Sequence, residues 1–168
     1  MSKRVRQYAG LGSAVLAYYI IHEGAHLVYA LWVGAFRTIN FIGLGMQVDV
    51  FADRMSPVQM GRFCLAGSVA TAAAAYGMTA LAGFIGKRGS KLFKACMYYI
   101  TLALLLIDPL YLSVLCGFFG GGDMNGIGLL VPETAARVAY GILLLIHGAI
   151  CLKVVLPKYQ RAFKEEKP

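Results

Sequence analysis

The apolar residues of the chain are gathered into four long runs that polar or glycine-rich segments separate. A helix needs roughly 20 predominantly apolar residues to cross a bilayer. The runs that reach or approach this length extend from Tyr8 to Phe36, Phe63 to Ile85, Ala95 to Phe119 and Val138 to Leu156. The pattern therefore predicts an all-α membrane protein with about four transmembrane helices.

The segment between the first two runs has a different period. In "INFIGLGMQVDVF" the apolar side chains alternate, at Ile42, Leu44, Met46, Val48 and Val50. A period of two is typical of a β-strand. We expect a small membrane-associated strand or hairpin between helices 1 and 2, and a short amphipathic segment lying on the membrane surface is the alternative.

Composition supports the membrane class. The chain has 168 residues, of which 59% are hydrophobic and 14% are charged. Soluble domains carry about 25% charged residues, so the charged fraction of this chain is lower than a water-exposed domain usually has. No linker-like segment or internal repeat divides the sequence, which predicts a single integral membrane domain over residues 1–168.

The formal charge of +8 is concentrated in three places. Basic residues lie in the N-terminal tail, between runs two and three, and in the C-terminal tail: Lys3, Arg4, Arg6, Lys87, Arg88, Lys91, Lys94, Lys158, Arg161, Lys164 and Lys167. Basic loops face the cytoplasm, so four spans predict cytoplasmic N- and C-termini. No basic face is interleaved with aromatic residues, so no nucleic-acid partner is expected. The small, domain-free architecture suggests a bacterial plasma membrane.

The first apolar run contains "HEGAH", which matches the pattern H-E-x-x-H. On a helix, His22 and His26 project from one face and can both bind a zinc ion, while Glu23 is placed to act on a water molecule there. An ionisable group in mid-membrane costs roughly 3 kcal/mol even on insertion scales, so such groups usually have partners and a function. A purely structural polar cluster that holds helices together is the alternative.

A membrane-embedded HExxH in the first long span resembles the site-2 protease family of intramembrane zinc metalloproteases. The second run supports the resemblance, because "LAGSVATAAAA" from Leu65 to Ala75 is similar to the family's small-residue "AGPxAN" segment. Ser68 stands at the proline position of that motif and Thr71 at the asparagine position.

The resemblance implies a core of three helices, one Zn²⁺ per chain and cleavage of transmembrane segments of other proteins. It also implies a third zinc ligand from an aspartate on a later span, and two residues qualify. Asp123 in "GFFGGGDMNGI" resembles the family's aspartate-glycine ligand motif after an unwound segment, with Gly117 and Gly120–Gly122 supplying the unwound backbone. Asp108 in "LLLIDPLYL" lies within the third run beside Pro109, and it is the alternative ligand or a residue that orients one.

Two further polar residues are candidates for the same site. His147 in "LLLIHGAI" is more typical of an interhelical hydrogen-bond partner than of a fourth ligand, because two histidines, an aspartate and water already complete an open zinc site. Asn125 follows Asp123 closely and is a candidate for an oxyanion or substrate contact. The segment containing Ile42, Leu44, Met46 and Val48 is the candidate edge to which an extended substrate adds as a strand.

The expected partners are therefore a transmembrane protein substrate and the lipid bilayer, with a regulatory membrane partner or a second copy of the chain as candidates for control. Two rival functions share the motif. One is a zinc hydrolase that acts on a lipid-like substrate. The other is a non-proteolytic metal-binding scaffold or transporter, although the sequence lacks the paired inverted repeats that transporters commonly show.

Overall fold

The structure is a computed structural model that describes residues 2–42, 45–87 and 90–164. Leu44, Arg88 and Lys167, which the sequence analysis names, lie outside these ranges. The main elements are α1 (Lys3–Trp32), β1 (Phe36–Ile42), β2 (Gly45–Val50), α2 (Pro57–Lys87), α3 (Lys91–Ser113), α4 (Asp123–Ile127), α5 (Glu133–Ile150) and α6 (Leu156–Lys164). A π-helical turn, Cys151–Val155, joins α5 to α6, and 3-10 turns occupy Ala52–Arg54 and Leu115–Gly117.

Four helical stretches in the described part of the chain are long and apolar enough to cross a membrane: α1, α2, α3 and the continuous stretch Glu133–Lys164. In their most apolar windows only 22, 28, 39 and 17% of the residues are buried. Helices that stay apolar on their outward faces are suited to lipid rather than water. The predicted fold class, four apolar helices with a small hairpin after the first, is confirmed.

Local sequence signals set several helix ends. At the start of α2, the Ser56 N–H donates to Oε1 of Gln59 over 2.9 Å, and the Gln59 N–H donates to Oγ of Ser56 over 3.2 Å. This reciprocal pair is a capping box, and Pro57 follows it at the first helical position, where its missing N–H removes no bond. The second helix therefore begins at Pro57, ahead of Phe63, which is the first residue of the apolar run.

The prediction that the first span continues to Phe36 is wrong. Gly34 adopts a φ of 70°, and the chain closes the helix with hydrogen bonds from the Gly34 N–H to the Leu31 carbonyl and from the Ala35 N–H to the Ala30 carbonyl. This is a Schellman motif, which a glycine in the left-handed region favours. The helix ends at Trp32, and Phe36 begins a strand instead.

The two strands form one antiparallel hairpin between α1 and α2. Val48 pairs with Ile39 and Met46 with Phe41, and the register shifts between Phe36 and Thr38, which is typical of a β-bulge. The alternation from Ile42 to Val50 thus indicates β2 correctly, whereas β1 is an additional strand. The backbone of Ile42 belongs to β1 rather than to the strand that carries Met46 and Val48.

The last two spans also differ from their apolar runs. The third helix stops at Ser113, before Phe119, and the fourth begins at Glu133 rather than Val138 and continues past Leu156 to Lys164. In α6, the buried Tyr159 ring packs 5.3 Å from the Tyr98 ring, and the buried Lys94 amine donates to the Ala162 carbonyl over 2.9 Å. These tertiary contacts extend the helix beyond the apolar stretch.

Candidate metal centre

The two histidines of HEGAH lie on one face of α1 and point into the bundle. His22 is 7% exposed and His26 is 3% exposed. Their Nε2 atoms lie 3.1 Å apart. The four-residue spacing on a helix therefore produces the shared face that the sequence predicts.

A glycine turn brings Asp123 to this pair from the other side. Gly120, Gly121 and Gly122 all have positive φ, at 81°, 85° and 49°, a region that other residues rarely adopt. Asp123 begins α4 directly after the turn, and its Oδ2 lies 3.1 Å from Nε2 of His22 and 3.3 Å from Nε2 of His26. Burial opposes ionisation of this carboxyl, but when the histidines are protonated their hydrogen bonds outweigh burial and lower the pKa of Asp123 to about 2.

The outer nitrogen of each imidazole has a partner that only accepts. Nδ1 of His26 lies 2.7 Å from the Phe63 carbonyl oxygen, so in the neutral imidazole Nδ1 carries the proton and Nε2 presents a lone pair. Nδ1 of His22 lies 3.2 Å from Oδ1 of Asp108. These two atoms lie at ion-pair distance without forming a hydrogen bond, and the adjacent carboxylate favours the same tautomer.

Three electron-pair donors consequently converge on one point: Nε2 of His22, Nε2 of His26 and Oδ2 of Asp123. Such donors repel one another unless a cation or a proton lies among them. The distances between them, 3.1, 3.1 and 3.3 Å, are close to the separation of about 3.3 Å that tetrahedral ligands about 2.0–2.1 Å from a zinc ion require. This buried group can hold a metal ion.

Gly67 on α2 makes room for the two rings. A Cβ atom at this position would lie 2.6 Å from Cε1 of His22 and 2.6 Å from Nε2 of His26. Carbon atoms in van der Waals contact need about 3.5–4.0 Å. The second helix therefore approaches the histidines closely at Gly67, because glycine lacks the Cβ atom that would collide with their rings.

Asp108 lies behind His22 rather than among the converging atoms. It is 2% exposed. Its Oδ1 accepts a hydrogen bond from the Tyr18 hydroxyl over 2.5 Å, and its Oδ2 accepts one from the Thr71 hydroxyl. With these donors and His22 around it, Asp108 is placed to orient the His22 ring, while Asp123 joins the two histidines in the cluster.

The carboxylate of Glu23 lies in the same cavity as the histidines and Asp123. This cavity has a volume of about 780 Å³, and its walls come from α1, α2, α3, the glycine turn and β2. Oε2 of Glu23 accepts a hydrogen bond from the Val48 backbone N–H over 3.0 Å. Met46 and Val48 of the candidate strand edge both line the cavity.

Asn125 also lines the cavity, but its side-chain amide is engaged with the glycine turn. Its Nδ2 donates to the Gly120 carbonyl over 3.1 Å. A Cβ atom at Gly121 would lie 2.3 Å from Oδ1 of Asn125, so this side chain packs directly on the turn. Asn125 therefore supports the turn that carries Asp123 as well as facing the cavity.

His147 is fully buried and lies in a different set of contacts. Its Nδ1 donates to the Leu105 carbonyl over 2.6 Å, and its Nε2 accepts from the Tyr76 hydroxyl over 2.7 Å. Pro109 has no N–H with which to bond the carbonyl four residues earlier, which is that of Leu105. His147 supplies the missing donor and links α2, α3 and α5.

Sequence reasoning did not find several of the supporting groups. Tyr18 stands one helical turn before His22, and that spacing is a signal that could have indicated it. Thr71 and Gly67 lie in the small-residue segment from Leu65 to Ala75, whose family resemblance does not indicate these contacts. The Phe63 carbonyl carries no sequence signal, because any residue offers the same backbone acceptor.

Comparisons of the chain with protein-family models, with curated proteins and with solved structures found no match.

Proposed function

We propose that this chain is an intramembrane zinc metalloprotease that hydrolyses peptide bonds within or near transmembrane segments of other proteins. The observation that carries the proposal is the convergence of Nε2 of His22, Nε2 of His26 and Oδ2 of Asp123, with the Glu23 carboxylate in the same cavity. Two imidazoles and a carboxylate leave coordination positions open for water and substrate, as catalytic zinc sites do.

The donor set fits zinc in chemistry as well as in spacing. When bound, zinc would polarise the scissile carbonyl and make water acidic near neutral pH. Sites with two histidines and one carboxylate also hold iron(II) in oxygenases. The adjacent Glu23 favours hydrolysis, because an oxygenase has no need of a proton carrier at this position.

Glu23 is proposed to move the protons of the reaction. Its carboxylate takes a proton from the attacking water and passes it to the nitrogen of the leaving amine. His22 and His26 would hold the metal through Nε2, and Asp123 would hold it through Oδ2. Asp108 keeps the His22 ring in place, supported by the hydroxyls of Tyr18 and Thr71.

The substrate is proposed to be a membrane-spanning protein that unwinds locally. In an intact helix the backbone hydrogen bonds shield every peptide bond, and freed backbone groups inside a membrane need new partners. The edge of β2, at Met46 and Val48, lines the cavity and offers such partners by strand addition. This feature favours a peptide substrate over a lipid-like one.

The proposed topology has both termini in the cytoplasm. Basic side chains lie at the start of α1, at the start of α3 and along α6. The Lys94–Ala162 contact joins α3 and α6 at one end of the bundle. Such a concentration of basic residues is typical of the cytoplasmic side. A bacterial plasma membrane is the proposed host, with a membrane partner or a second copy of the chain as proposed regulators.

The first test is metal content per chain in detergent-purified protein, with zinc and iron both measured. We expect near-stoichiometric zinc in the wild type and in Asp108→Asn after loading, and little in His26→Ala or Asp123→Asn. Equal zinc in the two aspartate variants would contradict the ligand set. A folded wild type that takes up no zinc would end the protease proposal.

The second test is cleavage of a reporter protein whose single transmembrane segment is flanked by two tags. Glu23→Gln is expected to keep zinc and lose cleavage, because its amide can neither accept nor deliver the proton. A variant that still cuts would exclude Glu23 as the proton carrier. Zinc binding without peptide cleavage, but with release of fatty acid from phospholipid vesicles, would favour the lipid hydrolase instead.

A further inference from the structure

A hydrogen bond ties the backbone of β2 to Glu23. The Val48 N–H donates to Oε2 of Glu23 over 3.0 Å. Val48 is 5% exposed, and this partly buried contact lies in the same cavity as the histidines. It joins the proposed proton carrier to the strand on which the substrate is proposed to dock.

The direction of this N–H identifies which edge of the hairpin meets the cavity. β2 pairs on one side with β1, where Val48 lies opposite Ile39. Because the Val48 N–H reaches a side chain of α1, it points away from β1, and the backbone of Met46, two residues earlier, points the same way. The outer edge of β2 therefore faces the cavity.

We propose that an extended substrate segment joins the outer edge of β2 and takes the Val48 N–H from Glu23, so that docking itself releases the Glu23 carboxylate for catalysis. This inference rests on the proposed role of Glu23 as the proton carrier. Before docking, the bond fixes the carboxylate against the strand. After docking, a substrate carbonyl accepts the same N–H and the carboxylate is free to turn toward the water and the leaving nitrogen.

The exchange selects for unwound substrate. A bond to a carboxylate is stronger than one between neutral groups, so a lone carbonyl or a water molecule competes poorly for the Val48 N–H. An extended segment forms several backbone bonds along the edge at once and can displace the carboxylate. A helical segment has its carbonyls occupied and offers no acceptor. Glu23 is thus released in the presence of a peptide in the form that can be cut.

The test uses metal-free, full-length protein in detergent and a probe that is not cleaved. The probe is a heptapeptide of alternating threonine and valine with every second amide N-methylated, so that one edge pairs and the other cannot aggregate. Its affinity is measured by titration against wild type, Glu23→Ala and Glu23→Gln. In ¹⁵N-valine-labelled protein, the Val48 amide signal is identified by its loss in Val48→Ile and followed during the same titration.

We expect the probe to shift the Val48 amide signal in the wild type. Glu23→Ala should bind the probe about tenfold more tightly, because the competing bond to a charged acceptor is gone. Glu23→Gln retains a neutral oxygen acceptor, whose weaker bond should place its affinity between those of the wild type and Glu23→Ala. A Val48 signal that the probe does not move, or equal affinities of wild type and Glu23→Ala, would overturn the exchange.

Glu23→Gln also separates hydrogen bonding from charge. If it binds the probe as tightly as Glu23→Ala, the lost negative charge explains the gain and the proposal fails. The measurements need neither metal nor cleavage. A failure here therefore leaves the zinc and reporter tests of the protease proposal unaffected, and a failure of those tests leaves this exchange measurable.

Discussion

Replacement of Gly67 with alanine tests whether the space beside the histidines maintains the metal centre. The new Cβ would lie 2.6 Å from Cε1 of His22 and 2.6 Å from Nε2 of His26. Reaching ordinary contact at about 3.5 Å or more requires a shift of about 1 Å. Both rings resist it, since His26 is bonded to the Phe63 carbonyl and His22 lies against Asp108.

Metal sites tolerate ligand displacements of about 0.2 Å, so a shift of about 1 Å exceeds the tolerance several-fold. We expect Gly67→Ala to weaken zinc binding by about 100-fold, the upper range for disturbed supporting residues. Alanine favours a helix interior over glycine by about 1 kcal/mol, so the helix itself should not be lost. A change in zinc affinity with retained helix content is therefore the expected signature.

The assay is competition for zinc with a chelator of known affinity, together with circular dichroism. Gly77→Ala provides a matched control, because Gly77 lies on the same helix and a Cβ there meets nothing within 4 Å. The control should bind zinc as the wild type does. If Gly67→Ala stays within about threefold of that control, corresponding to less than about 0.7 kcal/mol, the steric reasoning is refuted.

Four further predictions follow from the same structure. Gly122→Ala should lower zinc affinity, since Gly122 has a φ of 49° and a Cβ there would lie 2.6 Å from the Tyr111 hydroxyl. The control is Gly12→Ala, because a Cβ at Gly12 meets nothing within 4 Å. Equal zinc affinities of the two variants in chelator competition would contradict the role of the turn. His147→Phe should keep zinc but lower the free energy of unfolding by about 1–2 kcal/mol in a denaturant titration, because the hydrogen bonds to Leu105 and Tyr76 are lost. Loss of zinc in this variant would instead identify His147 as a ligand. Zinc should be released on acidification near pH 6 and below, because the imidazoles gain protons there. The Asp123 carboxyl, with a pKa of about 2, stays ionised at that pH and does not set the release. A release midpoint near pH 3 in a metal-retention titration would contradict this. Met46→Pro should impair reporter cleavage and leave zinc in place, because it removes an N–H from the outer edge of β2 rather than from its pairing with β1; unchanged cleavage would argue against docking at that edge.

The spans were predictable because their signal is local: a long apolar run needs no knowledge of its neighbours. The helix ends were less so. Gly34 ends α1 through a backbone conformation that glycine permits but does not require. The alternation that indicated β2 did not locate β1, its partner in the predicted hairpin. The fourth helix continues past Leu156 because Tyr159 packs on Tyr98 and Ala162 accepts a hydrogen bond from Lys94. These partners are distant in sequence, so a local pattern does not reveal them.

The candidate site divides in the same way. His22, Glu23 and His26 share a spacing that a helix converts directly into proximity, so the sequence alone indicates them. The choice between Asp108 and Asp123 depended on tertiary structure, since Asp123 lies 101 residues from His22 along the chain. The glycine turn resolves the geometry by returning Asp123 to the cluster, while Asp108 remains behind the His22 ring.

The pairing of Pro109 with His147 has a consequence for how related chains should diverge. Proline leaves the Leu105 carbonyl without its helical donor, and a residue 42 positions from that carbonyl supplies one. A chain with an ordinary residue at position 109 has a helical N–H for this carbonyl and no longer needs the imidazole. Substitutions at the two positions should therefore occur together across descendants of this sequence, a correlation that an evolutionary survey can look for without any knowledge of the metal.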